Sequence, residues 1–519
     1  MTRSFNTTGP CIPGEHYMLP PERRLGRVQQ LIDQHKYFTM HAGRQTGKTT
    51  SLMWLKRHLN ASGRWRALWV DLETAREQPD LAAALPIVLE NIDRTLRLQH
   101  PNLARPEAAE IEAVLGEPAN ALLEYLARLC ALDERPVVLL LDEADGLVGP
   151  AMVSVLTQLR AGYIARSEAP FPASVALVGQ RQVRDYVLSA DDRRALSWLG
   201  TTSPFNVTAE ATTLSPFTEA EVHELLAQHT MDTRQRFEPA AMHRIWELAL
   251  GHPWLTNALA AQITDLDVRD RSVAITVDHV DAAKETLILE RRSHIDSLIA
   301  RLREPRVRRI LEPMLAGTRL PADLLDDDLS YTLGLGLVRV ERGELQIANP
   351  IYREVIPRAL TWSQQISLHQ PTEWYVRPDG TLDMIKLMAA WQAFWREDGH
   401  LAADGFNYRE AGPHLMVMAF LQRIVNGGGR VEREYGLGRG ALDLMIFWKT
   451  ERHAIEVKLR RDTETEAKAL DQMAGYLERA GLDDGWLLLF DLRKETSWVD
   501  KLFVREVEHA AKKIRIVGC

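Results

Sequence analysis

The chain's 519 residues exceed one compact core, and at about 100–200 residues per domain roughly three or four domains are expected. Hydrophobic residues make up 45% and charged residues 26%, as in ordinary soluble globular proteins, and the net charge of -8 excludes nucleic-acid binding through overall charge while leaving a local basic groove open. Cys11, Cys130 and Cys519 are too few and too scattered for a disulfide framework or a zinc site, which points to a reducing, intracellular setting.

The opening stretch, MTRSFNTTGP, is polar and lacks an apolar signal core. The longest purely aliphatic run, residues 137–141, has the length of a strand and falls far short of a membrane span. A cytoplasmic protein with no membrane contact is expected. Apolar runs at 37–41, 66–71, 137–141 and 174–178 read as strands, with helical patterns between them, for example at 48–59 and 119–132. Strand and helix in alternation imply a parallel sheet with helices on both faces.

Residues 42–49 read Ala42-Gly43-Arg44-Gln45-Thr46-Gly47-Lys48-Thr49, followed by Thr50, and they join the first strand to the helical pattern opening at Lys48. That is the strand–loop–helix context of a phosphate-binding loop. Gly43 and Gly47 let backbone N–H groups turn inward, Lys48 neutralises the β- and γ-phosphates, and Thr49 offers a hydroxyl to Mg2+. Ala42 stands where Gly is commoner. The strand at 137–141 runs into Asp142 and Glu143; Asp142 is placed for the Mg2+ shell and Glu143 for orienting the attacking water. After the strand at 174–178, Gln180 sits where a γ-phosphate sensor projects, and Arg181 and Arg184 either supply positive charge or are surface residues. Gly251-His252-Pro253 either caps the nucleotide base through Pro253 or is a plain helix-breaking turn.

From about Thr213 the pattern becomes helical. Thr218 is the expected N-cap of a helix, with Glu221 three residues on to close a capping box. Residues 306–360 read as helices followed by strands at 337–340 and 345–348 around Arg342-Gly343, a winged-helix pattern. It serves either as a DNA-binding module, with Arg301, Arg303, Arg306, Arg308 and Arg309, or as an interdomain spacer. The polar stretch beyond 362 reads as a linker.

Together, the segments FNTTGPC, HYMLPPERRL, the phosphate loop, LLLDEAD, VALVGQRQVRDY, SPFT, GHPWLTNALA and ANPIYREVIPR resemble the AAA+/STAND-like ATPases, in particular the AAA-like ATP-binding proteins. The resemblance covers about residues 1–360. It implies an ATPase core over 1–212, a helical lid over 213–300, a winged helix over 301–362, ATP and Mg2+ as cofactors, and homo-oligomers formed through the ATPase domain. Gln180 departs from the Asn, Ser or Thr of many relatives.

The last segment, 383–519 after a linker at 363–382, places Asp443 at the start of an apolar strand. After a turn at 449–452, a second strand carries Glu456 and Lys458 on one face. Paired as a hairpin, the two runs bring Asp443 beside Glu456 and Lys458, a pair of carboxylates that attracts a hard divalent ion. Gln472 and Tyr476 lie one helical turn apart, and Glu410 is available to complete the acidic cluster. Arg430, Arg433, Arg439, Arg460 and Arg461 either add positive charge for phosphates or belong to a mixed surface with Glu432 and Glu434.

Asp443, Glu456-x-Lys458 and Gln472-xxx-Tyr476 resemble the PD-(D/E)xK nuclease superfamily, in the branch with the RecB and Mrr nuclease domains; Leu442 replaces the proline of the family's name. This implies a restriction-endonuclease-like α/β fold, Mg2+ or Mn2+ at Asp443 and Glu456, and DNA as substrate. The whole reads as an α/β multidomain protein, an ATP-using DNA endonuclease of genome defence, mobile elements or repair. The alternative is a nucleotide-switched signalling or scaffold ATPase whose C-terminal domain holds DNA or a protein partner without cutting.

Overall fold

The computed structural model describes residues 3–519 except 77, 79, 103, 180–209, 291–292, 316–319, 321, 323–325, 361–374, 397–412, 415, 419, 422–428, 437–440, 461–464, 492 and 494–495. The chain folds as two compact units, residues 1–294 with 324–338, and residues 295–323 with 339–519.

In the first unit, strands β1 (Tyr37–His41), β2 (Arg66–Asp71), β3 (Val137–Asp142), β4 (Ser174–Gly179) and β5 (Glu210–Thr213) form one sheet in the order β2-β3-β4-β1-β5. Every pairing is parallel, as the alternating pattern requires. Side chains of successive residues enter two separate cores. Leu68, Val70, Leu139, Leu141, Val175 and Leu177 pack on one face, against the helices Leu81–Gln99, Ala121–Ala131 and Gly149–Ala165. Phe38, Met40, Ala67, Val138, Leu140, Ala176 and Val178 pack on the other. There they meet α1 (Glu22–Asp33) through Leu25, Val28 and Ile32, and α2 (Lys48–Ala61) through Leu52, Leu55 and Leu59. With both faces covered, β3 is apolar until its terminal acid. The edge strand β5 was not expected, because its sequence, Glu-Ala-Thr-Thr, carries no apolar alternation.

The helices expected after residue 213 are present. Thr218 caps α3 (Glu219–Thr233) and Glu221 closes the capping box, its carboxylate accepting the Thr218 N–H at 2.9 Å. Gly251 sits with φ near +72° directly under this helix start. Its carbonyl accepts the Phe217 N–H at 2.8 Å, and a Cβ there would lie 1.8 Å from the Phe217 carbonyl oxygen. His252 then caps α4 (Pro253–Ala261). The N-terminal segment contacts both this helical region and α2. Phe5 and Tyr17 are buried beside His229, Trp254 Nε1 donates to the Thr7 carbonyl at 2.8 Å, and the Cys11 N–H donates to Thr50 Oγ1 at 3.0 Å.

Strands β6 (Val338–Glu341) and β7 (Glu344–Ile347) pair around Arg342 and Gly343, both with positive φ, close to the expected hairpin. In the second unit, β8 (Arg430–Gly436), β9 (Ala441–Trp448), β10 (Glu451–Arg460), β11 (Asp484–Asp491), β12 (Val504–His509) and β13 (Lys512–Gly518) form a mixed sheet ordered β12-β13-β11-β10-β9-β8. The helix α5 (Thr465–Ala480) covers one face through Leu470, Met473 and Leu477, packed with Leu487, Leu489, Ile514 and Ile516.

Residues 375–382 fall inside the expected linker, yet they belong to this unit's packing. Tyr375 and Leu382 are buried, Trp448 Nε1 donates to the Gly380 carbonyl at 3.0 Å, and the Leu382 N–H donates to Glu451 at 2.7 Å. Proline and polar composition suggested an exposed linker, but two apolar anchors in that stretch bring it into the core. Among the described residues no helix is long and apolar enough to cross a membrane.

Candidate functional sites

The phosphate loop connects β1 to α2, as its sequence context demands. Gly47, at φ 88°, turns the chain into the helix, and Gln45 also takes a positive φ of 58°, which no sequence signal marked. Thr46 Oγ1 donates to the Gly43 carbonyl at 2.8 Å. Lys48 is buried, and its ammonium donates to the carbonyls of Ala42 and Gly43 at 2.8 and 3.0 Å. Burial pushes its pKa down, against the pull of Glu143, Asp142 and Asp145.

Parallel pairing delivers Asp142 beside the loop. Its Oδ2 accepts from Thr49 Oγ1 at 3.0 Å and from Trp69 Nε1 at 3.2 Å, and its Oδ1 accepts the Glu143 N–H at 3.1 Å. Burial raises the Asp142 pKa, because its bonded donors are neutral. Glu143 takes left-handed backbone angles, and its carboxylate is held by Arg76 at 2.9 Å. Its pKa is raised too, first by burial and then by Asp145.

The remaining expected residues stand as follows. The Thr50 hydroxyl is engaged by the Cys11 N–H. Pro253 is a buried first residue of α4, while the preceding His252 reaches the loop, its ring bonding the Arg44 carbonyl. Gln180, Arg181 and Arg184 lie outside the described residues. At the strand end that leads to them, a Cβ on Gly179 would come within 2.9 Å of the Asp145 carboxyl carbon, so a larger residue there would displace that side chain. Arg24, Trp69, Arg76, Asp145 and His252 were not read as loop partners. They come from five separate places in the chain; HYMLPPERRL, LLLDEAD and GHPWLTNALA contain Arg24, Asp145 and His252, while no quoted segment contains Trp69 or Arg76.

In the second unit, β9 and β10 pair antiparallel, with Ile455 opposite Leu444. This register sets Asp443 beside Glu456. The Val457 N–H donates to Asp443 Oδ2 at 2.8 Å and the Asp443 N–H donates to Glu456 Oε2 at 3.3 Å. Two residues along the same strand face, Lys458 Nζ lies 2.7 Å from Glu456 Oε1. Glu456 is fully buried; burial first, and then the Asp443 charge, drive its pKa well above the carboxylate range. Burial alone would depress Lys458, but Glu456 and Asp443 outweigh it and hold the ammonium above its usual value.

From α5, Gln472 Nε2 donates to the Tyr476 hydroxyl at 2.6 Å, and Tyr476 is near enough to act on the Lys458 charge. Asp443, Glu456, Lys458 and Tyr476 therefore share one locality, with Gln472 tethered at its exposed side. Glu410 lies outside the described residues, as do Arg439, Arg461 and the Arg433 side chain. Arg430 pairs with Glu432 at 3.2 Å, and Arg460 with Glu466 at 3.6 Å, so these two cations are already partly neutralised. Among the described residues no cluster of three or more metal-ligating side chains occurs.

Neither a known family model nor a curated protein sequence matches the chain. It is similar to the Walker-type ATPase of Pyrococcus abyssi, with 15% identity, TM-score 0.48, and 68% of this chain and 99% of that chain covered. It is also similar to the ORC2 protein of Aeropyrum pernix, with 16% identity, TM-score 0.39, and coverage of 66% and 94%. A third likeness is to the Thermotoga maritima RuvB Holliday junction branch migration motor, with 14% identity, TM-score 0.33, and coverage of 64% and 93%.

Proposed function

We propose that this chain binds and hydrolyses ATP in its first unit and cleaves DNA with a divalent metal ion in its second. The observation that carries the cleavage reading is the β9–β10 hairpin, which gathers Asp443, Glu456 and Lys458 at one spot. Two carboxylates beside an apolar core cost free energy unless they serve a site.

In the first unit a Mg2+ ion fits between Thr49 and Asp142, since Asp142 is a buried carboxylate whose bonded donors are all neutral. The ion, when bound, supplies charge that offsets the phosphates. The chain's own work is orientation. Gly43 and Gly47 allow the backbone to wrap the phosphates. Lys48 exchanges the Ala42 and Gly43 carbonyls for phosphate oxygens. Glu143 leaves Arg76 to orient the attacking water, and its burial favours the proton-accepting role at neutral pH.

In the second unit Asp443 and Glu456 fit Mg2+ or Mn2+, because Glu456 is wholly buried against a like charge and, among the described residues, only Lys458 is a cation bonded to it. That ion supplies Lewis acidity for phosphodiester hydrolysis. Lys458 neutralises charge developing on the scissile phosphate, and Tyr476, tethered by Gln472, limits where the ammonium can swing. DNA is the proposed substrate, and homo-oligomers through the ATPase unit are the proposed assembly.

The test is nicking of supercoiled plasmid by the full chain with Mg2+ or Mn2+, with and without ATP. Wild type should nick, and Asp443→Ala and Lys458→Ala should not, with circular dichroism unchanged. Cutting by both variants places the cleavage site elsewhere. ATP hydrolysis without any metal-dependent cutting leaves the switch or scaffold reading in its place.

A further inference from the structure

Arg24, on α1, belongs to neither set of residues assigned above, yet its guanidinium sits behind the phosphate loop. Nη1 donates to the Thr46 carbonyl at 3.1 Å, and a Cβ on Gly47 would lie 3.4 Å from the same nitrogen. Nη2 donates to the Ser215 carbonyl, and the guanidinium carbon stands 5.1 Å from the centre of the Phe217 ring. Its bonded partners are thus carbonyl oxygens and a ring, and among the described residues nothing accepts a hydrogen bond from the buried Nε. Burial lowers its pKa to about 10, so the cation persists at neutral pH at a desolvation cost.

Two consequences follow from where these bonds fall. The Thr46 carbonyl and the Gly47 N–H belong to one rigid trans peptide plane, on opposite sides. Holding the carbonyl outward aims the Gly47 N–H into the loop. The other bond falls on the last residues before α3: Ser215 and Phe217 precede the Thr218 cap, and Phe217 is locked to Gly251. One side chain therefore touches both the loop peptide that turns toward phosphate and the segment that leads into α3.

We propose that Arg24 is a positioning residue that orients the Gly47 peptide for phosphate and transmits the loop's occupancy to the segment Ser215–Phe217. The proposal rests on the nucleotide reading of the first unit. A phosphate drawing the Gly47 N–H inward tilts the shared peptide plane, and the Thr46 carbonyl carries the guanidinium and its contacts to that segment with it. Lysine cannot replace arginine here, because one ammonium cannot bond two carbonyls in a planar fork while stacking on a ring.

The experiment uses the full chain, a fluorescent ATP analogue for affinity, and hydrogen exchange of residues 215–233 with and without ATP and Mg2+. Wild type should bind and should slow exchange in 215–233. Arg24→Ala and Arg24→Lys should bind within about fivefold of wild type, a small coupling, yet lose the nucleotide-dependent slowing. Phe217→Leu, which leaves the loop untouched, should lose it as well and covers the case in which Arg24 variants do not fold. Slowing that persists in Arg24→Ala, in Arg24→Lys or in Phe217→Leu overturns the relay, as does full retention in all three. Wild type that fails to bind, or a Lys48→Ala variant that binds like wild type, overturns the nucleotide reading and the relay with it.

Discussion

At the scale of single residues, burial decides which charges are chemically useful. Lys458 is held charged by Glu456 and Asp443, and among the described residues it is the only cation bonded to that carboxylate pair. On the proposed cleavage reading, replacing it with alanine should lower plasmid nicking by about 10²-fold or more, the scale of one lost electrostatic contact in a transition state, with metal binding measurable separately by calorimetry. His252 shows the opposite case. Burial, then Arg24, lower its pKa from 6.5 to about 4. The unfolded chain takes up a proton below 6.5 while the folded chain does not until about 4. Stability is therefore undiminished above pH 6.5 and falls as pH drops from 6.5 to 4, by on the order of 3 kcal/mol from this group. Urea unfolding midpoints at pH 7 and pH 5 should diverge for wild type and diverge less for His252→Asn. An equal divergence would show that another group titrates.

Among the elements, helix starts and strand faces set where these residues stand. Thr218 and Glu221 satisfy the first N–H groups of α3, so Thr218→Ala should cost about 1 kcal/mol, seen as a lowered thermal midpoint. Gly251→Ala should cost more, because its φ is positive and its new Cβ would strike the Phe217 carbonyl. A smaller loss than for Thr218→Ala would mean that the segment relaxes freely. Leu140, fully buried on the face of β3 opposite Leu139 and Leu141, should lose about 2–5 kcal/mol on truncation to alanine. The runs of five or six residues that announce β1, β2, β3 and β4 were legible because strands covered on both faces are predominantly apolar. The polar edge strand β5 was not, since one covered face and four residues leave no period to read.

For the molecule as a whole, each of the two units has its own buried core, so calorimetry should resolve two transitions, with ATP and Mg2+ raising the midpoint of one. A single transition that shifts intact would show one cooperative block. Local chemistry fixed much in advance: the loop from Ala42 to Thr49, the acids ending β3, the capping box at Thr218, and Asp443 with Glu456 and Lys458 all follow from spacing and strand alternation, which depend on near neighbours. What tertiary structure alone decided is who stands behind those residues. Arg24 on the Thr46 carbonyl, Arg76 on Glu143, Trp69 on Asp142, Tyr476 near Lys458 and the packing of Tyr375 all join segments far apart in the chain. No local period encodes such pairs, because their partners meet only when sheets and helices have closed over a shared core.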